Sequence, residues 1–374
     1  MSDLALTQKA GNAANNEADQ AKLEVASAAS IKPLPALSLR PLDAAWNTSW
    51  DALAGQSVAN GFMQSSEWAA FKRTEGYLTP RYGIFDGERL VGGSTFFLYP
   101  HGPVAGFIAC PEGPVLPWEE LSAARIGLRL LIAQGRALSL EYGALGFRIE
   151  PHLPPPRPSL LRNWARAPVD LTPIHTLMLD LSQSETALRA RMHPKGRYNL
   201  GLSTRQGVSV RMSSDMGDLR AFYALFTETA LRNSFFAEPY GFFLNLGAAL
   251  FPTGRAALFL AHWQEEPIAA LLIVFYGRRA TYLYGGSSTR HRAVMPNFAL
   301  HWAAIQEAKT CGCLEYDFYG YDPFEQPSHQ YAGISRFKRQ WGAERFDSLG
   351  AHDLIFYDQL ADKVIEQLTT PNLG

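Results

Sequence analysis

Short runs with apolar residues at every second position alternate along this chain with stretches in which they recur every three or four positions. That alternation predicts a mixed α and β protein. FMQSSEWAAFKRTEG (62–76) predicts a short helix capped by Ser65 or Ser66. Trp68 and Phe71 take its inner face, Lys72 points off that face, and Gly76 ends it. In RYGIFDGERLVGGSTFFLYP (81–100), two apolar runs flank Asp86-Gly87, the composition of a hairpin. Gly102 to Leu116 holds a further strand-like run, and Ala123 to Leu138 predicts a helix. Ser139 to Glu150 reads as a strand with Arg148 and Glu150 on one face. PHLPPPRPS (151–159) has five prolines in nine residues and reads as a stiff loop.

The second half has a similar grammar. Thr176 to Leu181 predicts a strand, and Ser184 caps a helix beginning at Glu185. In RMHPKGRYNLGLSTRQGV (191–208), Pro194 opens a basic helix at its first turn. Tyr198 and Leu202 share one helix face, Lys195, Arg197 and Arg205 take others, and Gly207 stops the helix before a strand. Leu219 to Arg232 is amphipathic at helical spacing. LFLAHWQEEPIAALLIVFYGRRATYLYGG (258–286) gives three strands, with turns at Gln264–Pro267 and Gly277–Arg279. Tyr282 and Tyr284 alternate on the last of these and so are expected on one face. Pro296 to Lys309 predicts a helix, Leu314 to Tyr319 a strand, Gly333 to Trp341 a short helix, and Phe346 to Tyr357 a closing strand. FKRTEG (71–76) and FKRQWG (337–342) share Phe-Lys-Arg-x-x-Gly, which points to two related halves.

Length and composition sharpen this picture. The 374 residues, 47% of them apolar, suffice for two domains. The Ala-, Asn- and Gln-rich residues 1–37 are expected to be a disordered tail, not a signal peptide. The domains are then expected over 38–175 and 176–374. A net charge of −1 argues against a protein that coats nucleic acid, so any RNA contact must be local. Three cysteines, Cys110, Cys311 and Cys313, make no disulfide framework and suit a reducing cytoplasm. Cys311-Gly-Cys313 has no second pair at zinc-site spacing. The longest apolar run, Ile268 to Tyr276, has nine residues, against roughly 20 for a membrane span.

The familiar catalytic signatures are missing. There is no Gly-x-Ser-x-Gly elbow, His-Glu-x-x-His, Walker loop or dinucleotide fingerprint. His262, His301 and His329 read as core or surface residues.

Three segments carry a resemblance: HPKGRYNLGLSTRQGV, then YDFYG (316–320), then GISRFKRQWG (333–342). Together they resemble the Fem (FemABX) family, non-ribosomal peptidyltransferases that add amino acids from aminoacyl-tRNA to peptidoglycan precursors. The likeness runs from residue 40 to 357, thinly in the first half. It implies an α+β fold of two tandem GNAT-like (acyl-CoA N-acyltransferase-like) domains, mixed sheets with flanking helices. No heptad run is long enough for the coiled-coil insert of some members.

The implied reaction needs no metal, cofactor or covalent intermediate. An amine attacks an activated aminoacyl ester, and charge on the carbonyl oxygen must meet a fixed cation or N–H donors. By resemblance Lys338 is the catalytic cation, and Phe337 sits beside it where acceptor peptide and aminoacyl group meet. Asp317 is either a hydrogen-bonded scaffold group or a site carboxylate. The family usually has Gly where Tyr319 stands. Lys72 and Arg232 match residues that bind the acceptor diphosphate, a task suited to Lys and Arg. Glu150 matches an acidic groove residue. Tyr282 or Tyr284 lines a peptide groove or packs against a helix. Lys195, Arg197 and Arg205, with Arg336 and Arg339, either receive a tRNA acceptor arm or form a solvated face.

The implied partners are aminoacyl-tRNA and a UDP-linked or lipid-linked muramyl peptide, with peripheral contact at the inner membrane surface. One competing reading is an acyl-CoA N-acyltransferase. Its pyrophosphate loop would fall at GGSSTRHRAVMPNFAL (285–300), where Ala293, Val294 and Met295 replace the needed glycines. The other is a catalytically silent module that binds envelope precursors or glycans.

Overall fold

The computed structural model describes residues 36–99, 106–324 and 332–357, so the tail expected over residues 1–37 lies outside it as far as residue 35, while Leu37 already opens a strand. The first half opens with β1 (Leu37–Pro41), α1 (Asn47–Gln56) and α2 (Ser66–Thr74). Ser65 caps α2 by accepting from Trp68 N–H at 3.0 Å, and Gly76 takes φ 85° just beyond it. The Asp86-Gly87 hairpin joins β2 (Arg81–Asp86) to β3 (Arg89–Thr95), and β1 completes an antiparallel sheet. Then come β4 (Phe107–Pro111), α3 (Leu121–Tyr142), β5 (Gly146–Glu150) and β6 (Ala165–Arg166). Residues 139–142, expected in a strand, are the last turn of α3 instead. Leu131, Leu138 and Ser139 continue its buried stripe, and Gly143 at φ 70° closes it.

The second half is a seven-stranded sheet flanked by helices. Its strands are β7 (His175–Asp180), β8 (Ser209–Ser213), β9 (Ala256–Trp263), β10 (Glu266–Tyr276), β11 (Arg279–Ser287), β12 (Glu315–Asp317) and β13 (Glu344–Asp347). Their order is β13-β7-β12-β11-β10-β9-β8, antiparallel except for β11 with β12. The helices are α4 (Glu185–Arg191), α5 (Pro194–Arg205), α6 (Leu219–Asn233), α7 (Tyr240–Leu250), α8 (Pro296–Thr310) and α9 (Ala332–Lys338). Pro at the first turn of α5 and α8 fits their starts. The expected closing strand is two strands. The second, β14 (His352–Ile355), leaves the large sheet and pairs with β5 and β6. The division at residue 176 is therefore a proposal that the chain itself recrosses.

Alternation along β9 and β10 builds two cores. Ala257, Phe259, Leu271 and Ile273 face α5 and α8. Leu258, Leu260, Leu272 and Val274 face α6 and α7, and that core continues into Trp50, Trp68 and Phe71 of the first half. The fully buried Phe71 edge-stacks on Phe242 at 5.0 Å, so the halves share a core. Truncating such a ring to Ala costs about 3–5 kcal/mol. Among the described residues no helix is long and apolar enough to cross a membrane.

Candidate active site

The site begins where two strands part. β11 and β12 pair only over Arg279–Thr281 and Glu315–Asp317. Beyond Thr281, β11 keeps β10 as its partner, and a bulge there sets Tyr282 opposite Ile273 and Tyr284 opposite Leu272. The extra residue resets the alternation of faces. Tyr282 therefore packs edge-on to His301 of α8 at 4.6 Å. Tyr284 packs against Phe226, Phe242 and Phe243 of α6 and α7. The expectation that the two tyrosines share a face is corrected by this bulge.

Helix α9 carries Phe337 and Lys338 to the gap. Two cavities adjoin there, with Thr229, Asn233, Tyr282, Gly285, Gly333 and Ile334 lining both. The larger, about 770 Å³, holds Lys338, Tyr284, Tyr319 and Gly320. The smaller, about 590 Å³, holds Phe337, Arg232, Arg292, Ser287 and His301. Adjacent residues of one helix thus face different cavities.

Lys338 is 4% exposed. Its Nζ donates to the carbonyls of Tyr319 and of Gly320, the latter at 2.7 Å, and lies 5.3 Å from the Tyr282 ring centre. Burial pushes its pKa down to about 7, against the upward pull of the Asp317 charge. Asp317 itself is buried and lines neither cavity. It accepts from Thr176 Oγ1 and, at 2.7 Å, from Tyr319 N–H. That second bond closes a side-chain turn over Tyr319, whose φ is 52°. Asp317 therefore holds the loop on which Lys338 rests. Burial raises its pKa, while Arg279 and its hydrogen bonds oppose the rise. Glu150 does similar work from the first half. It accepts from Leu171 N–H at 3.0 Å, Thr172 N–H at 2.9 Å and Thr172 Oγ1 at 2.8 Å, fixing a loop that lines the larger cavity.

Lys72 does not point freely to solvent as its helix position suggested. Its half-buried ammonium lies 4.2 Å from the Tyr77 ring centre and 5.5 Å from that of Phe71. Burial lowers its pKa, and the nearby charges of Glu75 and Glu238 oppose this. Among the described residues no carboxylate or carbonyl hydrogen-bonds it. Glu238 lines the larger cavity. Arg232 lies elsewhere, in the smaller cavity, where it donates to Ser287 O at 2.9 Å and Thr289 Oγ1 at 3.0 Å. The two expected diphosphate ligands thus do not line a common cavity.

The start of α5 packs against the turn that follows α9. His193 N–H donates to Gln340 O at 3.0 Å, and a Cβ on Gly196 would sit 2.7 Å from that carbonyl. Lys195 and Arg336 are exposed. Arg197 turns back to the carbonyls of Ala190 and Met192, and Arg205 covers the exposed ring of Tyr198. The buried stripe of α5 is Gly196, Asn199, Leu200 and Ser203, not the Tyr198 and Leu202 face. Arg339 donates to Asp322 O at 2.6 Å.

His301 is buried in the wall of the smaller cavity, with Nδ1 2.9 Å from Tyr316 OH, and burial lowers its pKa. His329 lies outside the described residues. Glu112 had no signal in the sequence. It is a lone carboxyl between two apolar segments, yet it is buried between the halves and its pKa is pushed up to about 7. It accepts from Met63 N–H at 2.8 Å.

A family model described as an acetyltransferase (GNAT) domain matches residues 195–352. A lipid II:glycine glycyltransferase of Staphylococcus saprophyticus is 20% identical, the likeness covering 82% of this chain and 90% of the relative. The protein of the same name from Staphylococcus aureus is 22% identical over 86% of this chain and 95% of its own. Among solved structures, that of FemX superimposes with a TM-score of 0.78 at 18% identity, over 87% of this chain and 99% of FemX. A tandem GNAT protein from the clavulanic acid biosynthesis pathway gives 0.53 at 14% identity, over 85% of this chain and 98% of that one. Both share the fold of two tandem GNAT-like domains.

Proposed function

We propose that this chain, which belongs to the Fem family, is an aminoacyltransferase that moves an amino acid from aminoacyl-tRNA to the amine of a peptidoglycan-precursor stem peptide. The relatives named above transfer glycine to lipid II by their names, which favours a lipid-linked muramyl peptide as acceptor. The observation that carries the reading is the buried Lys338 ammonium in the wall of the larger of two adjoining cavities. One cavity is assigned to each substrate.

The acceptor peptide enters the 770 Å³ cavity, between Tyr284, Tyr319 and the loop held by Glu150. The aminoacyl end of the donor enters the smaller one, past Arg232, Arg292 and Phe337. The acceptor amine attacks the ester carbonyl, forming the amide C–N bond. The ester C–O bond breaks, and the ribose oxygen leaves with the proton that the amine gives up. Lys338, seated on two carbonyls, faces the developing oxyanion. In so dry a site a fixed cation is worth far more than in water. Lys72, an ammonium with no anionic hydrogen-bond partner among the described residues, takes the acceptor diphosphate. Lys195 and Arg336 meet the tRNA backbone.

Calorimetry with a nucleotide-linked muramyl-pentapeptide and, separately, acetyl-CoA tests the reading. Binding of the muramyl-pentapeptide, followed by transfer when charged tRNA is added, is the expected result. Binding of acetyl-CoA alone overturns it in favour of an ordinary acyl-CoA N-acyltransferase.

A further inference from the structure

The mouth of the Lys338 cavity carries large apolar side chains in contact with solvent. Phe236 is 81% exposed, Phe324 72%, Leu171 44% and Ile334 37%, and all four line that one cavity. They come from four separate segments: the loop after α6, the loop after β12, the loop before β7, and α9. Single exposed apolar residues are ordinary, but several gathered on the rim of one cavity mark an interaction surface. None of the four is needed to close a core, because the cores lie behind them in Phe226, Phe243 and Phe298.

We infer that this rim docks on the surface of a phospholipid bilayer, with Phe236 and Phe324 entering the headgroup–acyl boundary. The inference rests on the acceptor reading above. An acceptor whose diphosphate is tied to a lipid cannot leave the bilayer, so the cavity that receives its head must open at the membrane surface. No helix among the described residues is long and apolar enough to cross a bilayer, and an exposed apolar rim of this kind suits peripheral contact. The rim is continuous with the proposed acceptor cavity. Lys72 lies close enough to Glu238, which lines the same cavity, to feel its charge. A protein partner is the alternative occupant, and vesicles free of protein separate the two.

The test is co-sedimentation of the full chain with vesicles of phosphatidylcholine, alone and mixed with phosphatidylglycerol. The wild type is expected to sediment with both. The double substitution Phe236→Ser, Phe324→Ser is expected to lower partitioning by about tenfold or more. Leu140→Ser, which removes an apolar residue 66% exposed on α3, is expected to leave partitioning unchanged. A wild type that ignores both vesicles, or a double variant that binds as well as the wild type, overturns the inference. Equal loss in both variants overturns it too. Transfer to a water-soluble nucleotide-linked precursor, measured without vesicles, separates the two readings. Transfer without vesicle binding removes the docking surface alone. Vesicle binding with no transfer to either the nucleotide-linked precursor or a detergent-solubilised lipid-linked one removes the enzymatic reading.

Discussion

Phe71-Lys72 and Phe337-Lys338 begin the same six-residue pattern, Phe-Lys-Arg-x-x-Gly, in the two halves of the molecule. Both stand at the end of a short helix, and both patterns end in a left-handed glycine, Gly76 at φ 85° and Gly342 at φ 71°. Both phenylalanines pack inward and both lysines lie over a tyrosine ring. The surroundings then differ. Lys338 is enclosed and its ammonium is held by two carbonyls. Lys72 is half-buried in an aromatic notch with no acceptor among the described residues. Local sequence fixes where each lysine stands on its helix; the neighbouring elements decide its chemistry. The enclosed cation suits charge that forms during reaction, and the open one suits a charge that arrives with a ligand.

The largest expected effect breaks this comparison at its buried end. Lys338→Met should lower kcat about 10²- to 10³-fold, the cost of removing one oxyanion donor. Calorimetry should find precursor affinity within about threefold of wild type, since the substitution spares the assigned diphosphate ligand. The same variant has a pH signature in stability. Between about pH 7 and the ordinary lysine value of 10.5, Lys338 holds fewer protons folded than unfolded. Stability at this group therefore rises with pH across that window, and the cost of burial is full below it. Denaturant titrations of Lys338→Met should lack that rise.

Next comes the open end. Lys72→Ala should weaken precursor binding about 10- to 100-fold, the worth of one or two charge-assisted hydrogen bonds, and leave kcat nearly unchanged at saturation. Unaltered affinity would remove Lys72 from the diphosphate.

Asp317→Asn sharpens the comparison by changing only the charge behind Lys338. The amide can keep the turn at Tyr319, but the upward pull on the Lys338 pKa is gone. The alkaline limb of kcat should move to lower pH, with activity near pH 7.5 down about three- to tenfold. A simple loss of fold would lower Tm without moving that limb.

The smallest effect lies on the basic face. The double substitution Lys195→Ala, Arg336→Ala should raise KM for charged tRNA about threefold and flatten its salt dependence, with kcat unchanged. Steady-state kinetics at two salt concentrations read both.

Much of the scaffold could be read from local chemistry. The caps at Ser65 and Ser184, the Asp86-Gly87 hairpin, the prolines opening α5 and α8 and the stop at Gly207 all rest on backbone preferences of single residues. Features set by tertiary context could not be read this way. Helix α7, YGFFLNLGAAL, is apolar nearly all round, so it shows no stripe. The bulge that parts Tyr282 from Tyr284 has no Gly or Pro at Leu283 to announce it. The return of β14 to the first half is a matter of topology. The place of Phe337 and Lys338 at the end of a short helix was legible through their motif, and their part in the site is a proposal. The raised pKa of Glu112 and the gathering of Phe236 and Phe324 on one rim exist only once distant segments meet.

The central claim is that the reaction uses the charged form of Lys338, and the pH dependence of the chemical step tests it most directly. Single-turnover transfer from charged tRNA to bound precursor would be followed from pH 5.5 to 9 in wild type and Lys338→Met. The account predicts a descending limb in the wild type centred about one unit either side of pH 7, absent from the residual activity of the variant. A limb that persists unchanged in Lys338→Met, or a wild-type rate that does not fall at alkaline pH, would contradict it.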